Sequence, residues 1–584
     1  MHNKLMLITI AGIQEYISNA RKTADFFNGS KIITEFLKEI YEIVKHFEGY
    51  KDFDTILPCE LDKHELDIPN YFIAKVSSNL ENNELENKLR KILSKSLKNN
   101  FNKIYCYLNL DVYIVVVDFK SSYQVSYKSM YKKLDGYKNN RFRDYSLIYN
   151  IHENKNFDLQ NCTICGKNRG KYISNTNIEL IKTEQYYTSE NKYIKDKEVL
   201  CEDCLRKRKY DYHKEYPSTV DIAVMEWIDE VNKNEKIQHY DKMIGSIVNN
   251  KRDCIANFYH LDYIYSHVEG NMCDEYVKAL DEINNLDRKD QKCKVGNASR
   301  YYALIKADID DLGKHFNGKY LKESIKNDDI IFEKFQKRLS KEILKLSEGV
   351  KEKLYSFKNN YETKKLDIYL GGDDLLFFCP LYKVFEIVKF IDERIKNINI
   401  EDNEKNLTIS KSIVVAHDSV PLTQVINLSR KSLDIAKEKF EKQGKNALVI
   451  SIINSSGIVR TSYLKNERKT VDELVNLING FKNYISSGFI SNIERQLFLL
   501  GENMSLEEYE VLMNVIMNVI ERVASKQIKD NEIKCKENLK YLISKFVYVN
   551  SSNYFLDLKG YFNLLYILKK YSIEIINDIN GGSI

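Results

Sequence analysis

The 584-residue chain has no run of 18 or more apolar residues, which excludes a transmembrane helix by the usual length criterion. Its opening, MHNKLMLITIAG, carries a short apolar run but no small-residue cleavage pattern. It reads as a first strand rather than an export signal, so a cytoplasmic location is expected. Proline is scarce, with 5 residues, while Lys, Asn, Ile and Tyr abound. That bias fits an AT-rich genome better than any activity, and the tyrosines are not read as a stacking platform. Seven of the 11 cysteines (Cys59, Cys106, Cys254, Cys273, Cys293, Cys379 and Cys535) are scattered singly. An odd count without regular spacing excludes a disulfide framework and fits a reducing compartment. Charge is indecisive. Lys+Arg 89 against Asp+Glu 84 leaves +5, which permits a nucleic-acid partner without demanding one.

Against these absences, one stretch stands out. LDIYLGGDDLLFFCP, Leu366 to Pro380, places two apolar runs around Gly371-Gly372. Paired glycines accept the positive φ of a tight turn, so a β-hairpin is expected. Asp373 and Asp374 follow directly. Two adjacent carboxylates between apolar strands are costly to desolvate unless a cation meets them. Hard divalent ions take carboxylate oxygens. A solvated turn is the competing reading of this stretch taken alone. A second segment, YYALIKADIDDLGKHF, shifts the balance. Its apolar strand delivers Asp308, Ile309 and Asp310 at the carboxyl end, then Asp311 and Gly313 before a helical start. Backbone N–H groups at that start can receive a phosphate. Two strand ends joined through a helical stretch can gather three carboxylates. That arrangement suits two-metal phosphoryl or nucleotidyl transfer.

Along the chain, Lys4–Ile10, Tyr71–Val76 and Asp111–Asp118 read as strands. Ile13–Phe47 reads as helix, with an interruption near Asn28-Gly29-Ser30. This order predicts a ferredoxin-like unit without acidic turn motifs of its own, and therefore non-catalytic. In residues 120–300 strand signals fade, and Cys162-x-x-Cys165 is followed after 35 residues by Cys201-x-x-Cys204. Two CxxC pairs predict a four-thiolate Zn²⁺ site. Four thiolates leave no open position, so the site is expected to be structural. Residues 300–460 then give a palm-like order of strand, helices, hairpin, helix, strand, helix and strand. Lys437 and Lys445 near its end can reach a triphosphate, or can be surface lysines in a lysine-rich chain. From Val471 onward, apolar residues at three- and four-residue spacing predict a helical bundle.

These features together resemble the large palm-domain subunit of type III CRISPR effector complexes, in its Cmr (type III-B) version. AGIQEYISNARKTADFFNGSKII at 11–33 resembles that family's N-terminal motif, and LDIPNYFIAKV at 66–76 its Pro-Asn-x-Phe strand. The CxxC pairs lie between two palm-like units, and ADIDDLG and YLGGDDLLFF match the metal-carrying strands. The resemblance implies an α+β chain with two ferredoxin-like, nucleotide-cyclase-like palm domains, a zinc-containing helical insertion and a C-terminal helical bundle. The corresponding segments are 1–120 (degenerate palm), 121–299 (insertion), 300–460 (catalytic palm) and 461–584 (helical). It implies a metal-dependent nucleotidyltransferase that joins ATP into cyclic oligoadenylate once the complex binds target RNA. Asp308 and Asp373 would be the leading Mg²⁺ or Mn²⁺ ligands. Asp374 would join or orient them, and the Ile309 backbone would complete the set. Gly371, Gly372, Asp310, Asp311, Lys437 and Lys445 would face the nucleotide. The implied partners are the other Cmr-type subunits, guide RNA, target RNA and ATP, with no membrane.

Two departures bear on that expectation. Many relatives carry an N-terminal HD nuclease domain, whereas here the first strand begins at residue 4 and the only His-Asp dipeptide is His417-Asp418, so no HD nuclease is expected. The spacing from Lys437 to Lys445 is also longer than in GGDEF proteins. Three other readings remain at this stage. The product can be ATP joined to S-adenosylmethionine, the palm can be an inactive scaffold, or the chain can be a free-standing diguanylate cyclase. The last leaves the cysteine pairs unexplained.

Overall fold

The computed structural model describes residues 3–58, 70–100, 111–119, 122–139, 160–166, 168–174, 187–189, 193–194, 198–210, 216–231, 234–248, 255–287, 294–357, 365–372, 374–398, 402–467, 470–484, 511, 514, 560 and 563–571. Asp373 lies outside these residues, as do most of the helices expected beyond residue 484. Among the described residues, no helix is long and apolar enough to cross a membrane.

Two sheets carry the fold. The first contains β1 (Lys4–Ala11), β2 (Asp52–Leu57), β3 (Tyr71–Ser77) and β4 (Asp111–Asp118), in the order β2-β3-β1-β4. Every pairing in it is antiparallel. With helices Thr23–Lys45 and Asn82–Asn100 in the crossovers, this is the split βαβ arrangement.

The second sheet repeats the plan. Its strands are β8 (Tyr301–Ile309), β9 (Asp367–Gly371), β10 (Asp374–Cys379), β11 (Ile409–His417), β12 (Ala447–Ile453) and β13 (Val459–Lys465). The order is β13-β12-β11-β8-β10-β9. Its β9-β10-β8-β11 portion matches β2-β3-β1-β4 strand for strand. The sequence reading missed β2 and β13. Both are edge strands with mixed polar faces, and such strands lack the alternation of half-buried ones.

Alternation along the central strands feeds two cores. Leu5 and Leu7 of β1 join Ala303, Ile305 and Ala307 of β8 in one core, while Met6, Ile8 and Ile10 join Tyr302 and Leu304 in the other. Each core therefore draws on both sheets, and the sheets are fixed relative to each other by burial. Helix Asp329–Ser356 closes the first core with Phe332, Phe335 and Leu339. Asp328 starts this helix by accepting from the N–H groups of Ile330 and Ile331.

The break expected at Asn28-Gly29-Ser30 lies elsewhere. The chain forms helix Ile13–Ser18, breaks at residues 19–22, and then runs unbroken from Thr23 to Lys45. Asn28, Gly29 and Ser30 are buried inside that helix. They are small because another element packs on them. The Asn28 side-chain amide donates to the Lys207 carbonyl (2.8 Å), and the Lys207 stem lies over Gly29.

Between the two sheets the sequence suggested mainly helices, and the described residues add short strands to them. Three short strands, β5 (Tyr172–Ser174), β6 (Tyr187–Ser189) and β7 (Val199–Leu200), form a small sheet beside the cysteines. Helices follow from Glu202, and a separate core builds around Trp227, Tyr240 and Tyr259. His417-Asp418 belongs to the structural framework. Asp418 accepts from Arg300 (3.0 Å), and His417 Nδ1 lies 3.1 Å from the same carboxylate.

Candidate active site

β8 and β10 pair antiparallel with Asp308 directly opposite Asp374. Directly paired residues project from the same face of a sheet. The hairpin that delivers Asp374 turns at Gly372, with φ 69, and a Cβ at Gly371 would meet the Tyr369 ring at 2.1 Å. Gly372 thus serves the turn, and Gly371 leaves room for the Tyr369 ring.

Each carboxylate has a lysine. Lys437, near the end of helix Leu422–Lys439, forms an ion pair with Asp308. Lys306 Nζ donates to Asp374 Oδ1 at 2.7 Å. Lys306 precedes Asp308 by two residues on the same strand, so it shares its face. Gln14, from the short helix after the first sheet's β1, donates its amide to Asp374 Oδ2 at 2.8 Å. Burial, reinforced by Lys445 and Lys306 nearby, pushes the Lys437 ammonium down to about 7.

Asp310 and Asp311 differ from the expectation that they face a nucleotide. Asp310 is only 2 % exposed. It accepts from Ser410 Oγ (2.7 Å), Thr408 Oγ1 (2.9 Å) and the Asn446 N–H (2.9 Å), while its own N–H donates to the Thr408 carbonyl. It ties the end of β8 to β11 and to the loop before β12. Strand β8 ends at Ile309, so the two-residue alternation that would align Asp310 with Asp308 stops there.

Asp311 adopts φ 53 and accepts from Lys445 (2.6 Å) and Lys314 (2.9 Å). Burial alone would raise its carboxyl, but those two lysines hold it well below the usual range. Lys445 is therefore engaged with Asp311. It sits in a run of left-handed residues, Gly444, Lys445 and Asn446, that Asp310 and Asp311 pin down.

The first sheet shows why it has no such pair. Thr9 faces Tyr71 in β1–β3 at the place where Asp308 faces Asp374 in β8–β10. A hydroxyl and a phenol there offer no carboxylate pair to a metal ion.

A small cleft opens beside Asp374 between the two sheets. Gln14, Ile17, Lys306, Tyr369 and Arg430 are among the residues lining it. Sequence reasoning missed Gln14, Lys306 and Arg430. The two-residue spacing of Lys306 from Asp308 was a usable signal. Gln14 meets Asp374 across 360 residues, which no local pattern reports.

Two family profiles match the chain. Residues 301–449 match "Cas10/Cmr2, second palm domain", and residues 5–105 match "CRISPR-associated protein Cmr2, N-terminal". Each of the two sheets thus falls largely within a segment similar to a Cas10/Cmr2-type domain, and the second segment contains Asp308 and Asp374. The CRISPR system Cmr subunit Cmr2 of Pyrococcus furiosus is 24% identical to it over 304 residues. That alignment spans 45% of this chain and 33% of the relative, about a third of the relative's length. Among solved structures, the type III-B Cmr-beta complex bound to cognate target RNA contains a similar chain at TM-score 0.57 and 15% identity, covering 91% of this chain and 80% of that one. The apo Cmr-beta chain matches at TM-score 0.53 and 14% identity, covering 91% and 79%. These likenesses establish a palm-type mixed α/β fold.

The second candidate centre is formed by Cys162, Cys165, Cys201 and Cys204, whose sulfur atoms all lie within 4.8 Å of one another. Cys165 and Cys201 are 3.9 Å apart. A tetrahedral zinc with Zn–S near 2.3 Å requires sulfurs about 3.8 Å apart, so this donor set fits a metal ion. The Asn168 amide points at the Cys201 sulfur (3.9 Å), as outer-shell donors to metal-bound thiolates do.

Proposed function

We propose that this Cmr2-type chain is the nucleotidyltransferase subunit of a type III CRISPR effector complex. It joins ATP into a cyclic oligoadenylate when guide and target RNA are bound through its partner subunits. The observation that carries this reading is the direct cross-strand pairing of Asp308 with Asp374 beside a cleft whose largely apolar lining includes Lys306 and Arg430. Asp308, Asp374 and the Ile309 carbonyl are the oxygen donors for Mg²⁺ or Mn²⁺, with Asp373 assigned to the same set from the sequence. A divalent ion there supplies hydroxyl activation and charge neutralisation at the α-phosphate.

The chain's own residues do the rest. Lys437 and Lys306, now paired with Asp308 and Asp374, are placed to exchange those carboxylates for phosphate oxygens. Lys445 acts at one remove by holding Asp311. Gln14 orients Asp374, and Tyr369 and Ile17 give the cleft an apolar wall. In this reading 1–120 and 300–460 are the two palms, 121–299 is the insertion held by Zn²⁺ at the four cysteines, and 461–584 is the C-terminal helical part.

Labelled ATP supplied to the assembled complex with Mg²⁺ or Mn²⁺ and matching RNA tests the proposal. Oligoadenylate supports it. Product that forms only with added S-adenosylmethionine assigns a different acceptor to the same site. No nucleotide product under any of these conditions overturns it.

A pH effect also follows. Lys437 holds a phosphate only while protonated, and its pKa of about 7 lies far below an ordinary lysine. Nucleotide affinity is therefore expected to fall as pH rises through about 7. Lys437→Arg stays charged throughout and should flatten that profile. Binding titrations across neutral pH check this, and an equally steep fall in the arginine variant contradicts it.

A further inference from the structure

The short helix Ile13–Ser18 forms one wall of the cleft and carries the Gln14 that holds Asp374. What fixes it there comes from two directions. On one side, helix Leu422–Lys439 reaches it through Arg430, 3.3 Å from Ser18 Oγ, and Thr423, which donates to the Ala20 carbonyl (2.9 Å). On the other side stands helix Glu202–Lys209, which begins immediately after Cys201 and contains Cys204.

Lys207 lies three residues beyond Cys204, on the same helix face. It is 1 % exposed, yet among the described residues its ammonium meets no carboxylate in direct contact. It donates to the carbonyls of Tyr16 and Asn19 (the latter at 2.8 Å) and sits 4.2 Å from the centre of the Tyr16 ring. Those carbonyls are at the carboxyl end of helix Ile13–Ser18, where backbone acceptors lack intrahelical partners and a cation is favoured. The next residue, Arg208, forks onto Asp25 (3.0 Å from each Oδ) and reaches Glu198 (2.6 Å). Asp25 in turn accepts from the N–H groups of Arg21 and Lys22. Ser18, Asn19 and Ala20 are thus bonded directly by one or the other of these helices, and Arg21 and Lys22 by Asp25, which Arg208 holds.

We propose that Lys207 is a positioning residue for the nucleotide cleft. The four-cysteine centre anchors a helix whose buried ammonium caps Ile13–Ser18, and this sets the place of Gln14 against Asp374. A purely structural cysteine knuckle would need neither a desolvated lysine nor carbonyl acceptors from a distant helix. The inference rests on the cleft reading given above for its catalytic consequence, but not for the contact itself.

The test uses the full chain in its assembled complex, with Lys207→Met. Three quantities are read: metal per chain by elemental analysis, hydrogen exchange of the amides in residues 13–22, and KM and kcat for ATP. Metal content is expected to stay at the wild-type level. Exchange in 13–22 should quicken about tenfold or more, as for a cap worth more than 1.4 kcal/mol. KM should rise about tenfold, with kcat changed less. Gln14→Ala should raise KM similarly, and the double variant should be no worse than either single one, because both act through one contact. Unchanged exchange in 13–22, loss of the metal, or additive effects in the double variant would each overturn the inference. A wild-type complex that makes no nucleotide product refutes the cleft reading instead, and exchange in 13–22 still decides whether Lys207 holds the helix.

Discussion

Replacing Asp308 and Asp374 together by asparagine is expected to lower nucleotide product by about 10³-fold or more. Each carboxylate is a hard-oxygen donor where an amide is a poor one, and metal-borne charge stabilisation contributes several kcal/mol, with each 1.36 kcal/mol a factor of ten in rate. The fold should survive. The two side chains are 28% and 21% exposed, and the asparagines keep their volume. The cores beneath are apolar on both faces of the strands. Folding is checked by thermal unfolding and product by labelled ATP. Turnover within tenfold of wild type would mean that the pair does not hold the reacting phosphate. The variant also leaves Lys437 and Lys306 without their carboxylates, so affinity for free triphosphate is expected to hold or rise while turnover falls. That split separates a metal role from simple binding.

The second large effect is expected at the cysteines. Cys201→Ala should remove about one metal equivalent per chain and expose residues 160–210 to proteolysis more than tenfold faster. A structural zinc supplies on the order of 10 kcal/mol to folding in small peptides, far above the 1.4 kcal/mol that corresponds to tenfold. The small sheet β5–β7 is too short to hold itself, and the local core contains few residues besides the cysteines. Unchanged metal content would refute the four-thiolate centre.

Much of the fold could be read from periodicity, and the reasons for the misses are physical. Central strands such as β1 and β8 are buried on both faces and read as largely apolar runs. Edge strands β2 and β13 are partly exposed and look like loops. Asn28-Gly29-Ser30 reads as a helix breaker. In the fold Asn28 and Gly29 are the surface on which Lys207 packs, so tertiary contact overrides local propensity.

The same distinction runs through the site. Asp308 and Asp374 were legible because acidic residues at the ends of apolar strands are costly without a reason. Asp310 was expected to face the nucleotide, but it is a buried anchor, identified only by the hydroxyls of Thr408 and Ser410 that it meets. Gln14, Arg430 and Lys207 act across the junction of distant segments, and nothing in their neighbours along the chain marks them.

The most direct measurement is the anomalous signal of Mn²⁺ in crystals of the chain soaked with ATP. The account predicts an ion at the Asp308 and Asp374 carboxylates, with Lys437 moved from Asp308 onto a phosphate. Manganese bound elsewhere, with Asp308 still paired to Lys437 beneath an ordered nucleotide, would contradict it.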